Sequence, residues 1–256
     1  MDKKDIMALY NQFERIGQTV PGYDKQVNGS VVRCVSPESQ GSYITYFHLD
    51  EEQAISAIKN EIHFFSEQKK SFEWKTYSTD TPANIGQHLI EQGFTREDSE
   101  SFMVLELDRI QRTLPVTADI TEVYDLDGIR EAMSVQEKVW GTDHTSHAFH
   151  LHQIKQVSPE DVTVYVIYDN HIPVSSAWVL YSTGSPFAGI WGGSTLSEYR
   201  NKGYYTALLH QRINDAKQRG IRYLTIDASA MSRPIVEKHG FRFIAATTPY
   251  YLEVSR

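Results

Sequence analysis

Arg200, Lys202 and Gly203 stand close together in a short polar loop. Before the loop lies an apolar run, Phe187–Thr195, and after it a segment with helical periodicity, 204–219. Two cations and one conformationally free backbone position at a helix start make a cradle for an anion. The first turn of a helix exposes unpaired N–H groups and the positive end of the helix dipole. Gly203 can adopt backbone angles that other residues avoid, so a bulky anion such as a pyrophosphate can approach the chain closely. Two common phosphate loops are excluded, because the sequence has neither G-x-x-x-x-G-K-[ST] nor G-x-G-x-x-G opening a helix after a strand. The helix itself reads clearly: Tyr205, Leu208, Leu209, Ile213 and Ala216 share one face, and Gly220 stands at the C-cap position.

The residues beyond this loop continue in a definite order. Tyr223–Ala228 reads as a strand, Ser229–Ser232 as a loop, then a short helix, Gly240-Phe241 and a final strand. The R-x-x-G loop with its preceding Thr195-Leu196-Ser197-Glu198-Tyr199, in this strand–loop–helix–strand–helix–strand context, resembles the acyl-CoA loop of the GNAT superfamily of N-acyltransferases. The likeness covers roughly residues 117–256.

The resemblance implies an α/β (α+β) fold, a mixed and largely antiparallel sheet flanked by helices. It implies acetyl-CoA as co-substrate and no metal. Backbone N–H groups of Asn201, Lys202, Gly203, Tyr204, Tyr205 and Thr206, with the side chains of Arg200 and Lys202, would face the pyrophosphate. Backbone groups of Thr195 and Leu196 would pair with the pantetheine arm as a strand edge does, and Ser229 would lie near the CoA sulfur. Tyr205 departs from the pattern, which usually has Gly or Ala there; it either closes the loop or fills the apolar helix face.

The implied reaction moves an acetyl group from acetyl-CoA to a primary amine of a small molecule by direct attack on the thioester. It needs a base for the ammonium and an acid for the departing thiolate. Asp227, at the end of its strand, is the acid side chain best placed to draw or deprotonate an ammonium; the alternative is a structural partner for the next loop. Ser232 and Tyr250 are the candidate proton donors; Tyr251 is the alternative to Tyr250, since adjacent strand residues point to opposite faces and at most one of the two can face the site. Ser232 precedes Pro234 and so also reads as a helix cap. Val236 stands where the family often has a Tyr, and it cannot donate a proton. That departure keeps a second reading open, a non-catalytic CoA-binding regulatory module.

His144, His147, His150 and His152 cluster ahead of the sheet. Without a cysteine partner or an H-E-x-x-H pattern, they read first as structural or loop residues, second as lining of the acceptor pocket and only third as a metal site. Trp140, Trp178 and Trp191 read as packing residues or cleft lining.

Composition sets the outer bounds. The 256 residues carry a formal net charge of −8, which disfavours a general nucleic-acid binder and suits a cationic substrate. No apolar run reaches membrane-spanning length, and residues 1–17 lack a signal-peptide core. Cys34 is the only cysteine, so no internal disulfide can form and the cytoplasm is the expected compartment.

The chain divides near 108–117, with Pro115 as punctuation, into residues 1–115 and 116–256. The first part reads as helix 3–16, strands 31–36 and 43–49, helix 51–68, strand 72–77, helix 83–92 and strand 101–107. The second begins with helices 125–140 and 149–156 and strands 161–168 and 174–181. An internal echo relates the parts. Gly93-Phe94 and Gly240-Phe241 both follow a helix, and in each part the glutamate of a Leu-Glu pair, Glu106 or Glu253, stands thirteen positions after the glycine. The first part therefore reads as a degenerate copy of the second. Its long helix is entered through Asp50-Glu51-Glu52, whose charge would repel a pyrophosphate. The resemblance also allows a homodimer formed through the last strand.

Overall fold

The computed structural model describes residues 1–254. The chain begins with α1 (Lys3–Tyr10), β1 (Asp24–Asn28), β2 (Val31–Val35), β3 (Ser42–Phe47), α2 (Glu51–Glu67), β4 (Phe72–Tyr77), α3 (Ile85–Glu91), β5 (Thr95–Arg96) and β6 (Glu100–Glu106). It continues with β7 (Thr121–Val123), α4 (Leu126–Trp140), α5 (Thr145–Val157), β8 (Val162–Asp169), β9 (Ile172–Tyr181) and β10 (Phe187–Thr195). The last elements are α6 (Tyr204–Gln218), β11 (Tyr223–Ala228), α7 (Arg233–Lys238) and β12 (Arg242–Leu252).

Packing sorts these elements into two compact units, Met1–Met103 with the residues from Asp227 on, and Val104–Ile226. This division differs from the one expected along the chain at 115/116. The reason is β12, which pairs antiparallel with β4 over six positions, from Thr247↔Tyr77 to Leu252↔Phe72. Those ladder bonds tie the chain's end to its beginning.

In the first unit the strands run β1-β2-β3-β4-β12, and β5 lies along the other side of β12. The parallel pair β3–β4 is joined through α2, a βαβ crossover. Ala54, Ile58, Glu61 and Phe65 form the buried stripe of α2 at helical spacing. The stripe packs on Ile44, Phe47, Phe72 and Trp74 in a continuous core, where Phe65 stacks on Phe72 with ring centroids 4.2 Å apart. Glu61 is tolerated inside because Arg33 Nη1 lies 2.9 Å from its carboxylate.

In the second unit the order is β11-β10-β9-β8-β7, antiparallel except for β10–β11, which α6 joins as a second βαβ crossover. Ile129, Ala132 and Met133 of α4 and Ala148, Leu151 and Ile154 of α5 cover one face of β8 and β9. Asp125 caps α4 by accepting from the Gly128 N–H, and Gly141 ends it in the left-handed conformation at φ +73°.

Several sequence expectations shift. The helix expected over 3–16 is α-helical only to Tyr10; Asn11–Ile16 forms a wider π turn. On that turn Arg15 is buried, 2.6 Å from Asp80. Strand β1 escapes a pattern search because Asp24-Lys25-Gln26-Val27-Asn28 has no apolar alternation; its ladder with β2 makes it a strand. Helix α5 begins at Thr145 rather than at 149. Strand β12 already has β4 on one edge and β5 on the other, so its edge near Tyr250 is not free for a second copy.

Candidate active site

The phosphate-loop residues all lie in the second unit. Strand β10 pairs with β9 as far as Thr195, but its parallel pairing with β11 covers only Phe187 to Gly189. Beyond Gly189, β10 thus presents a strand edge without a β11 ladder, and it ends at the cationic loop. A bulge interrupts the β9 pairing between Trp191 and Ser194.

Side chains hold this bulge from behind. Gln136 of α4 is buried and donates through Nε2 to the Gly192 carbonyl (2.6 Å) and to Ser176 Oγ (2.8 Å). Its Oε1 accepts from Ser194 Oγ at 2.9 Å. Trp140 Nε1 donates to the same serine oxygen at 3.1 Å. Arg212 of α6, also buried, donates to the carbonyls of Trp191 (3.2 Å) and Leu208 (3.1 Å), while its Nη2 has no partner. Burial without a carboxylate draws its guanidinium pKa down.

The loop is open at the point where an anion would sit. Gly203 takes φ +83° as the residue before α6, and a Cβ added there would meet no atom within 4 Å. No acidic residue occupies the first turn of α6, and no side chain caps it. Asn201 also lies in the left-handed region, at φ +64°. Arg200 and Lys202 are exposed. The Arg200 Nε donates to the Thr195 carbonyl at 3.3 Å, and the Lys202 ammonium lies 4.4 Å from the Tyr199 ring centre. Tyr204, Tyr205 and Thr206 are half-buried in the first turn, where N–H groups lack intrahelical acceptors. Open space, uncapped donors and two cations suit a diphosphate.

Tyr205 does not stand over the loop. Its ring lies against Gly193, where a Cβ would come within 2.9 Å of a ring carbon. The backbone of the next strand residues is partly spent: Leu196 N–H donates to the Val174 carbonyl at 3.0 Å, and the Thr195 carbonyl takes the Arg200 bond.

Asp227, Ser229, Ser232 and Tyr250 belong to the first unit. Asp227 Oδ2 lies 2.5 Å from Lys75 Nζ, and its Oδ1 is buried without a partner. Ser229, not Ser232, accepts the bond that turns the chain into α7: the Ser232 N–H donates to Ser229 Oγ at 3.3 Å. The Ser232 side chain makes no cap bond and sits 3.2 Å from Ser229 Oγ, so Ser232 holds the N-cap position of α7 without capping it. Tyr250 faces the packed side of its sheet with Trp74, its cross-strand partner. Its hydroxyl fits only because residue 86 is glycine, whose Cβ would lie 2.1 Å from it. A cleft of about 340 Å³ opens there, between Thr76, Asp80, Asn84 and Tyr250.

The rings of His144 and His147 lie 6.2 Å apart, centre to centre. Among the described residues no group of three or more His, Cys, Asp or Glu could hold a metal ion. His147 packs edge-on against Trp178 at 5.0 Å, and burial pushes its pKa down to about 4. Trp178 is buried, whereas Trp140 and Trp191 are largely exposed. Gln136 and Arg212 were not legible as site residues. Each is a polar residue on an apolar helix stripe, which is the signal that could have singled them out.

A mixed, mostly antiparallel sheet flanked by helices, with βαβ crossovers around its parallel pairs and an anion loop, is the acyltransferase fold called GNAT. The model of the acetyltransferase (GNAT) family matches residues 126–241. Among solved structures, the chain is similar to a GCN5-related N-acetyltransferase from Kribbella flavida: TM-score 0.71, 15% identity, 96% of this chain and 94% of that one. It is also similar to a GCN5-related N-acetyltransferase from Sphaerobacter thermophilus (TM-score 0.63, 15% identity, 89% and 78% covered). A tandem GNAT protein from the clavulanic acid biosynthesis pathway shares the fold as well (TM-score 0.61, 11% identity, 93% and 86% covered). No curated protein matches the chain in sequence. No helix of the described residues is long and apolar enough to cross a membrane.

Proposed function

We propose that the chain is an acetyl-CoA-dependent N-acyltransferase whose acceptor is a primary amine of a small molecule. The observation that carries this reading is the β10 edge running into an uncapped helix start with Gly203 in the left-handed conformation and Arg200 and Lys202 beside it. The diphosphate of CoA would take the α6 N–H groups and the two cations, and the bulged β10 edge would face the thioester arm. The amine attacks the thioester carbonyl, the C–S bond breaks, and the thiolate takes up a proton as the ammonium loses one. Asp227 is the proposed attractor of the ammonium. Ser232 is the proposed donor to the thiolate, with Ser229 near the sulfur; Tyr250, the other candidate, packs with Trp74 on the sheet face opposite Lys75 and Asp227. The first part of the chain is read as a second copy of the fold that does not hold CoA, and the buried lone Cys34 suits a reducing cytoplasm.

A second reading is a CoA-binding regulatory module without turnover. It is favoured by Val236, fully buried where the family often has a tyrosine. Calorimetric titration with acetyl-CoA tests the common ground. We expect saturable binding near one site per chain, weakened about tenfold by Arg200→Ala and again by Lys202→Ala. Unchanged affinity in both variants would reject the loop. Acetyl transfer to a broad amine panel separates the two readings, and Ser232→Ala and Tyr250→Phe show which hydroxyl, if either, slows turnover.

A further inference from the structure

The sheet face that carries the core of the first unit turns polar toward one end. Phe72 and Trp74 of β4 belong to that core, with Tyr250 of β12. The next residues of the same face are Thr76 and, just past the strand, Ser78. Tyr250 stands opposite Trp74 on β12, and Thr248 stands opposite Thr76. Cross-strand partners put their side chains on one face. Four hydroxyls therefore follow the apolar rings. All four line the cleft of about 340 Å³, together with Ala83, Ile85 and Gly86 at the start of α3. The cleft lies wholly within the first unit.

These hydroxyls are not all spent inside the protein. Thr76 Oγ1 donates to the Thr248 carbonyl at 3.1 Å, and Thr248 Oγ1 lies 2.8 Å from Ser99 Oγ. Ser78 Oγ accepts from the Ala246 N–H at 3.0 Å, and among the described residues no atom takes its proton. The Tyr250 hydroxyl makes no hydrogen bond among the described residues. Tyr250 is only 7% exposed, yet its oxygen is not sealed. It reaches the cleft beside Gly86, where a side chain would displace it. Free charge is missing from the lining. Asp80 is its one acidic or basic side chain, and Arg15 holds both carboxylate oxygens, at 2.6 and 2.9 Å. An ion would find no countercharge there. A hydroxyl both donates and accepts, so another hydroxyl is its natural partner. The cleft has the liquid volume of about eleven waters, which is room for one sugar ring with its hydroxyls.

We propose that this cleft binds an uncharged, polyhydroxylated ligand of monosaccharide size, a cyclic sugar or polyol, through the hydroxyls of Tyr250, Ser78 and Thr248. Tyr250 donates to one ligand hydroxyl and accepts from another, and Ser78 donates its unused proton. Ala83 and Ile85 cover C–H groups of the ring. The site belongs to the first unit alone and does not rest on the transferase reading.

The test is calorimetric titration of the full chain, supported by saturation-transfer NMR, with D-glucose, D-galactose and myo-inositol. Cyclohexanol, a ring of the same size with one hydroxyl, is the control. We expect saturable binding of at least one of the three, tighter than that of cyclohexanol. Tyr250→Phe should weaken it about tenfold. The lost hydroxyl has no protein partner, so the thermal midpoint of this variant should not fall. Ser78→Ala, at an exposed position, should weaken binding by a similar factor. Weaker binding at an unchanged midpoint supports the site, because a residue that only packed would move the midpoint instead. The proposal is overturned if none of the three binds saturably, if cyclohexanol binds as tightly, or if both variants keep the wild-type affinity.

Discussion

At the side chain of His147, packing against Trp178 creates a pH dependence. Its folded pKa is about 4, against an ordinary value of 6.5. The unfolded chain therefore takes up a proton at a higher pH than the folded one. Stability from this group is present above pH 6.5 and is lost as pH falls from there to about 4, a change of about 3 kcal/mol. Urea unfolding at pH 7 and at pH 4.5 should show that loss in the wild type and a smaller one in His147→Phe. An equal loss in both would show that other groups govern the acid limb. Gly192 is the second residue whose chemistry is set by its neighbour. It lies at φ +57°, and a Cβ there would stand 1.7 Å from a Trp178 ring carbon. Gly192→Ala should cost about 3 kcal/mol, from the strained backbone and the clash together. A midpoint unchanged in guanidinium would mean that the bulge can shift freely.

At the scale of the element, the bulge of β10 depends on α4. Gln136 bonds the Gly192 carbonyl, Ser176 and Ser194 at once. Gln136→Leu keeps the size but strands these buried groups, for an expected loss of about 2–4 kcal/mol. Denaturant midpoints check it, and Gln136→Glu, which keeps an acceptor for Ser194, should lose its donors to Gly192 and Ser176. The elements themselves were largely readable. Strands β4 and β10 fall at the expected residues, because each has a clear apolar pattern and a polar boundary. Strand β1 and the π turn after α1 were not, since ladder bonds and the Arg15–Asp80 pair create them. The loop of Arg200, Lys202 and Gly203 was legible because its neighbours in space are its neighbours in sequence. Lys75 and Asp227 were not legible as a pair, since 152 residues separate them.

At the scale of the whole chain, the first unit is discontinuous. It takes residues up to Met103 and then those from Asp227 on. A fragment of residues 1–115 lacks β12, so β4 loses its six-position ladder and the core loses Tyr250. We expect this fragment to lack a cooperative thermal transition. The same fragment joined through a short linker to residues 227–256 should regain one. Cooperative unfolding of 1–115 alone, followed by circular dichroism, would show that the first part folds without the chain's end.

The sequence by itself determined the second unit's strand–loop–helix order and the mixed, largely antiparallel fold. These follow from local periodicity, turn chemistry and the free conformation of one glycine. Tertiary structure decided that Tyr250 packs beside Trp74, that Ser229 Oγ accepts from the Ser232 N–H at the start of α7, and that Asp227 pairs with Lys75. It also decided that β12 completes the sheet of the first unit. Strand pairing and charge burial depend on distance in space, which a linear pattern does not encode until the chain has closed on itself.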